Sequence, residues 1–342
     1  MLLSVIVPIY NVEKYISRCL DCLVHQNLTE EEYEILVIDD GSLDKSFEIV
    51  EEYSSDFSNI FLFRQENGGP CNARNFLLKI ARGEYIYFMD ADDLFTYNTL
   101  GLLVKEAKRK SLDIISFNTL VTSDITSFES SKPLVFPNTS SVFNGYQYIE
   151  QYPSLRFEIW WYLVKTSLLR SNHINFGENQ FNGDVLFTVN TFIKAKRIVH
   201  VPVTLHCYYQ GKISIMRSKD LAHRRVVIES LHAMIQNFSQ FIAHLETKKV
   251  PNIAAVIQNL EARRNTFVLF FLSKLVRSDL HADQAKWYID KLKKIEAYPL
   301  KSLNPNPTSL LKKLVVNVLN REYFLLPAIE LTTLQYNLRS SA

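Results

Sequence analysis

Cysteine is scarce in this chain, four in 342 residues, too few and too scattered for a disulfide framework. Cys19 and Cys22 sit in one helix-like segment, but no second pair completes a zinc site, so they read as small buried thiols. Glycine is also sparse, with nine in all. The turn after the first apolar run, Tyr10 to Tyr15, has none, which excludes a glycine-rich phosphate loop there. No stretch reaches the roughly 20 apolar residues of a membrane-spanning helix. The opening apolar run lacks a basic flank and breaks at Pro8, so no signal peptide is expected and a reducing cytoplasm is the default setting. Net charge is only +2, and no nucleic-acid partner is expected.

What is present is 47% hydrophobic and 22% charged, the balance of a soluble globular chain of one large or two smaller domains. Charge is unevenly spread. Residues 1–100 hold seven Lys and Arg against eighteen Asp and Glu, whereas residues 221–342 hold seventeen against nine. An acidic front half suits a metal and nucleotide site, and a basic back half suits an anionic surface or ligand.

Apolar runs and helical patterns alternate along the first half. Leu3 to Ile9, Tyr33 to Ile38, Ile60 to Arg64, Tyr85 to Met89 and Asp113 to Phe117 read as strands. Helical patterns lie between them, from Ile16 to Val24, about Ser46 to Tyr53, Ala73 to Ala81 and from 101 up to the strand at Asp113. This alternation predicts an α/β, mainly parallel sheet with flanking helices, in which ligands bind beyond the carboxyl ends of the strands. Polar clusters occur at those ends: Tyr10 and Asn11, Asp39 and Asp40, then Asp90 and Asp92. Residues 121–145, with a weak strand near Leu134 to Phe136, read as an excursion. After about residue 220 the pattern becomes helical, at 221–247, 253–277, 282–296 and 308–320. Two domains are therefore expected, 1–220 and 221–342.

The densest chemistry is in YIYFMDADDL, residues 85–94, where an apolar strand runs into Asp90, Asp92 and Asp93. Three like charges within four residues repel, and a hard divalent cation with oxygen ligands relieves them. Mn2+ or Mg2+ is the expected cofactor, positioned to hold a diphosphate. His173, His200 and His206 have no metal-site spacing and are assigned structural roles. Trp160 and Trp161 are assigned to the core.

The segments SVIVPIYNVEKYISRCLDCL, ILVIDDGSLDKS, ENGGPCNARNFLLKIARGEYIYFMDADDL and FNGDVLF together resemble the family 2 glycosyltransferases of the GT-A fold. The match is dense from Ser4 to Thr99 and thinner to about residue 217. The resemblance implies that Pro8, Tyr10, Asn11, Asp39 and Asp40 lie against the nucleoside, and that Asn67 and Arg74 approach the base and phosphates. It implies that Asp90, Ala91 and Asp92 form the Asp-x-Asp turn, with Asp90 and Asp92 at the metal and Asp92 its direct ligand. It further implies that Asp184 is the base that deprotonates the acceptor hydroxyl, giving inversion at the anomeric carbon. The donor implied is a nucleotide-diphosphate sugar, in particular a UDP-sugar. The acceptor implied is a glycan or lipid-linked glycan in bacterial surface-polysaccharide assembly. The family often has an acid immediately before the base, where this chain has Gly183; Glu178 is a candidate replacement.

Three other readings stand beside this one. A haloacid dehalogenase-type phosphatase also runs an apolar strand into Asp-x-Asp, but expects Thr or Val where Leu94 stands. A sugar nucleotidyltransferase needs the missing glycine loop. A catalytically silent sugar-nucleotide-binding subunit would carry the same binding residues. Asp184 also has a local alternative, as N-cap of a helix beginning at Val185. In the tail, Leu310, Leu311, Leu314, Val315, Val318 and Leu319 recur at helical spacing with Lys312, Lys313 and Arg321 nearby. That stripe is expected to pack on neighbouring helices or on a second copy of the chain, or to lie peripherally on the inner face of the plasma membrane.

Overall fold

The computed structural model describes residues 1–128, 141–177, 183–211, 221–301, 303 and 310–340. Its first half alternates β1 (Leu3–Ile9), α1 (Ile16–Val24), β2 (Tyr33–Asp39), α2 (Ser46–Asp56), β3 (Ile60–Arg64), α3 (Pro70–Ile80) and β4 (Tyr85–Phe88). There follow β5 (Leu94–Phe95), α4 (Leu100–Arg109), β6 (Ile114–Thr122), α5 (Gly145–Gln151), β7 (Tyr162–Lys165), α6 (Thr166–Ser171), α7 (Gly183–Lys194) and β8 (Ile198–Tyr209). The rest is helical: α8 (Leu221–Glu246), α9 (Ile253–Val276), α10 (Ala282–Lys294), α11 (Leu310–Leu319) and α12 (Glu322–Ser340).

The eight strands form one sheet in the order β3-β2-β1-β4-β7-β6-β8-β5. Strands β1 to β4 are mutually parallel; β7 enters antiparallel between β4 and β6, and β5 pairs antiparallel with β8. Because β1 lies between β2 and β4, the chain reverses its winding there, opening a crevice beyond the strands' carboxyl ends. Residues 33–39 of β2 are buried along their whole length, as expected for a strand covered on both faces. Gly83 brings the chain close against β1. A Cβ there would lie 2.3 Å from the Ser4 nitrogen, so only glycine fits.

Several boundaries differ from the sequence expectation. Helix α3 begins at Pro70 rather than Ala73, with Gly69 before it at φ 83°. Proline suits the first helical turn because its missing N–H would have no helical partner there. Strand β6 runs on to Thr122, into the segment read as an excursion; the weak strand at 134–136 and Glu178 lie outside the described residues. Helix α7 starts at Gly183, so Asp184 is inside its first turn and is not the N-cap of a helix beginning at Val185. Trp160 and Trp161 are buried, at 3% and 4% exposure.

The contacts divide the chain into two units: residues 1–148 with 157–212, and residues 149–156 with 213–342. The second is helical, and among the described residues no helix is long and apolar enough to cross a membrane. Within it, α11 departs from simple packing. Leu319 is buried, but Leu314, Val315 and Val318 are 60%, 44% and 49% exposed. The side chains of Leu310, Leu311 and Lys312 lie outside the described residues.

Candidate active site

At the ends of β1 and β2, two loops are laced together. Asn11, at φ 52°, accepts from the Leu43 N–H, while its own N–H donates to the Ser42 hydroxyl. The Val12 N–H donates to Ser46 and that of Glu13 to Asp44. This leaves Tyr10 44% exposed at the crevice, with Pro8 partly buried behind it.

The Asp39/Asp40 pair is divided in role. Asp40 accepts from Gln65 Nε2 at 2.6 Å, from the Gly68 N–H at 2.9 Å and from the Gly69 N–H at 2.8 Å, fixing the entry to α3. Asp39 is fully buried and accepts the Ser42 N–H on Oδ1. Arg64 Nε lies 3.1 Å from its Oδ2 but is not aligned to donate, so this oxygen is buried without a hydrogen bond. Asn67 is exposed beside the pair, its N–H close to Gly41.

The third cluster follows β4. Arg74 Nη2 donates to Asp90 Oδ1 at 2.7 Å, whereas Arg74 Nε is buried with no partner. Asp90 thus already has a cation. Ala91 is buried, and Asp92, partly buried, has its carboxyl pushed up to about 7 by desolvation, then by Asp93 and Asp90, against the opposing pull of Arg18. Arg18 was not singled out from sequence. Its guanidinium lies over the adjoining rings of Tyr15 and Tyr209, 4.9 and 4.7 Å from their centres, donates to the Asp92 carbonyl, and has a buried Nε without a hydrogen bond. Buried polar atoms normally find partners; among the described residues Asp39 Oδ2, Arg74 Nε and Arg18 Nε are buried without a hydrogen bond, the first of them ion-paired with Arg64.

Among the described residues no three His, Cys, Asp or Glu side chains converge as a metal cage. Such a cage is not what Mg2+ or Mn2+ requires beside a diphosphate, where one or two carboxylates and substrate oxygens serve. A carboxylate destabilised by two others, as Asp92 is, fits that role.

Asp184 is partly buried, and its carboxyl is pushed up to about 7. Desolvation is the main cause; Arg74 opposes it, and Glu158 and Asp90 add to it. Glu158 lies in the loop before β7, and its charge acts on Asp184 together with that of Asp90. Its backbone carbonyl accepts from Trp161 Nε1 at 2.8 Å and from Thr188 of α7 at 3.3 Å. Gly183 has a local physical reason: a Cβ there would stand 2.6 Å from the Cys71 sulfur. Gly183→Glu is accordingly expected to destabilise the fold by about 1–3 kcal/mol, the usual cost of overpacking. Adding Cys71→Ala should recover most of it. Urea midpoints of the two single variants and the double variant measure this coupling.

Residues 4–168 match the family model described as glycosyl transferase family 2. The chain is 30% identical over 252 residues to the uncharacterized glycosyltransferase EpsJ of Bacillus subtilis, covering 71% of this chain and 70% of that one. It is 33% identical over 207 residues to a poly(ribitol-phosphate) beta-glucosyltransferase of Bacillus spizizenii, covering 58% of this chain but only 30% of that one. Among solved structures, S. aureus TarS 1-349 in complex with UDP-GlcNAc superposes with a TM-score of 0.65 at 22% identity, covering 99% of this chain and 92% of that one. A mannosyltransferase from Pyrobaculum calidifontis, in complex with GDP-Man and Mn2+, superposes with a TM-score of 0.54 at 18% identity, covering 99% and 88%. The mainly parallel sheet with flanking helices is that of the GT-A fold, and the chain belongs to glycosyltransferase family 2.

Proposed function

We propose that this glycosyltransferase is inverting and metal-dependent, moving a sugar from a UDP-sugar to a hydroxyl of a glycan or lipid-linked glycan acceptor. The observation that carries the reading is the turn after β4, where Arg74 pairs with Asp90 at 2.7 Å beside the crowded Asp92, with the elevated Asp184 under the charges of Arg74 and Asp90. Asp39 Oδ2 accepts a uracil imide or ribose hydroxyl, with Pro8, Tyr10, Asn11 and Asn67 around the nucleoside. Asp40 holds the loop that places Asn67 and α3. Arg74 and Arg18 face the diphosphate. Asp92, beside Asp90, would hold Mn2+ or Mg2+, which would supply positive charge to the departing diphosphate. Asp184 takes the acceptor proton, and a carboxylate held near 7 is a far better base at neutral pH than an ordinary one. Attack from the side opposite the diphosphate inverts the anomeric centre.

The donor follows the UDP-GlcNAc complex of the structural neighbour, and the surface-polymer acceptor follows the poly(ribitol-phosphate) relative. Family membership removes the phosphatase reading. The test is release of nucleoside diphosphate from a panel of sugar nucleotides, with and without Mn2+. Metal-stimulated release of UDP from one UDP-sugar, enhanced by acceptor, is the expected result. A protein that binds UDP-sugar but turns over no donor with any acceptor is instead a silent binding subunit.

The reading extends to where the acceptor is met. Leu314, Val315, Val318, Tyr323 and Phe324 are exposed, and residues 297–321 contain Lys301, Lys312, Lys313 and Arg321 with no acid. Apolar and basic groups together suit an anionic membrane surface, at about 1 kcal/mol per Lys or Arg near the lipid. Co-sedimentation with vesicles should require anionic lipid, weaken in salt, and fall in a Lys312→Glu, Lys313→Glu variant. Equal recovery with neutral vesicles, or none with either, would remove membrane contact; concentration-dependent dimerisation lost in Leu314→Asp would assign the face to a second copy.

A further inference from the structure

Directly after the Asp-x-Asp turn, Asp93 is fully buried, and so is its partner. His206 Nε2 lies 3.0 Å from Asp93 Oδ2, and the Tyr209 N–H donates to Asp93 Oδ1 at 2.8 Å. The other imidazole nitrogen, Nδ1, is 2.8 Å from the hydroxyl of Tyr87 on β4. With the proton on Nε2, histidine donates to the carboxylate and accepts from the tyrosine, which satisfies every group in the chain of bonds. Trp160 stacks on the imidazole at 4.7 Å with the planes 7° apart, and stacks again on Tyr208 at 5.3 Å. The ring can neither rotate nor reach water.

This is an expensive arrangement to bury: a carboxyl and an imidazole at 0% exposure, a kind of pair that packed apolar side chains often replace without loss of stability. Its position suggests what it secures. Asp93 N–H donates to the Asp90 carbonyl at 3.1 Å, so the turn closes on the residue that His206 holds. Arg18 grips the same turn at the Asp92 carbonyl and stacks on Tyr209, the residue whose N–H holds Asp93. Strand β8 therefore holds Asp93 at two points, through the His206 side chain and the Tyr209 N–H. The same imidazole stack includes Trp160, two residues from Glu158.

We propose that His206 is a positioning residue for the donor site, holding Asp93 so that the Asp90–Asp92 turn keeps the geometry a divalent cation requires. The proposal rests on the metal-dependent reading above. Groups that orient metal-binding carboxylates from behind typically change metal affinity 10–100-fold when removed. The residue touches neither the cation nor the substrate.

The experiment titrates Mn2+ into the full chain with UDP present, following loss of the free Mn2+ signal by electron paramagnetic resonance. UDP binding without metal and thermal unfolding are measured on the same preparations. His206→Ala is expected to weaken Mn2+ binding at least tenfold and to leave metal-free UDP binding within about twofold. His206→Gln, whose amide can still donate to Asp93, should recover most of the loss. Tyr87→Phe, which removes only the hydroxyl on Nδ1, should weaken Mn2+ binding by a smaller factor. Where His206→Ala does not fold, Tyr87→Phe carries the test. Wild-type Mn2+ affinity in His206→Ala, or in Tyr87→Phe where His206→Ala does not fold, or equal loss of metal-free UDP binding, overturns the positioning role and leaves His206 a structural residue. A wild-type chain that binds no Mn2+ with UDP overturns the metal reading itself, which is a different result.

Discussion

Asp184→Asn is expected to lower turnover at least about a hundredfold, the scale of a lost general base, while donor affinity stays within a few-fold of wild type. Asparagine keeps the size of the side chain at the second position of α7 and removes only its capacity to take a proton. The pH dependence gives an independent check. The charged groups acting on Asp184 are Arg74, Glu158 and Asp90, and together with burial they place its titration near 7. Ionised Asp184 is the active form, so kcat/KM for acceptor should rise with pH through about 7 and level off above it. Glu158→Gln removes a neighbouring negative charge and should move that rise to lower pH. Loss of donor binding together with turnover in Asp184→Asn would show that the residue supports the fold of the site rather than its chemistry.

Glu158 also shows where sequence reading stops. The resemblance looks for an acid beside the base along the chain, at Gly183 or Glu178, the latter outside the described residues. A negative charge acting on Asp184 also comes from Glu158 in the loop before β7, where the only signal in sequence is an acid two residues ahead of a pair of tryptophans. The partnership of His206 with Asp93 spans 113 positions and was likewise invisible to a search for short metal-ligand spacings. By contrast β1, β2 and β4 were legible because a strand buried on both faces is a short, continuous apolar run ending in polar residues. Strands β5 and β7, two and four residues long, have too little periodicity to register. Helix α12 was missed because Pro327 lies inside it, and proline is normally read as a helix boundary.

The pairings also decide which carboxylate should matter most at the metal. The resemblance already favours Asp92 over Asp90 as the direct ligand, and the pairings supply a physical reason: the salt bridge from Arg74 engages Asp90, whereas the Asp92 carboxyl is raised by Asp93 and Asp90 with Arg18 in opposition. Asp92→Asn keeps the shape of the turn and removes one anionic ligand. It is expected to lower Mn2+-supported turnover at least about a hundredfold, because charge neutralisation at the leaving diphosphate is worth several kcal/mol and each 1.36 kcal/mol is tenfold in rate. Asp90→Asn should act differently. It weakens the metal site but also removes a negative charge beside the diphosphate and frees Arg74 from its ion pair, so metal-free UDP affinity should rise in Asp90→Asn and stay nearly unchanged in Asp92→Asn. Turnover across a Mn2+ titration, with UDP affinity measured in chelator, separates the two. Wild-type turnover by Asp92→Asn at every metal concentration would show that Asp92 is not the ligand, and a metal-free UDP affinity unchanged in Asp90→Asn would show that the Arg74 ion pair does not shape the phosphate site.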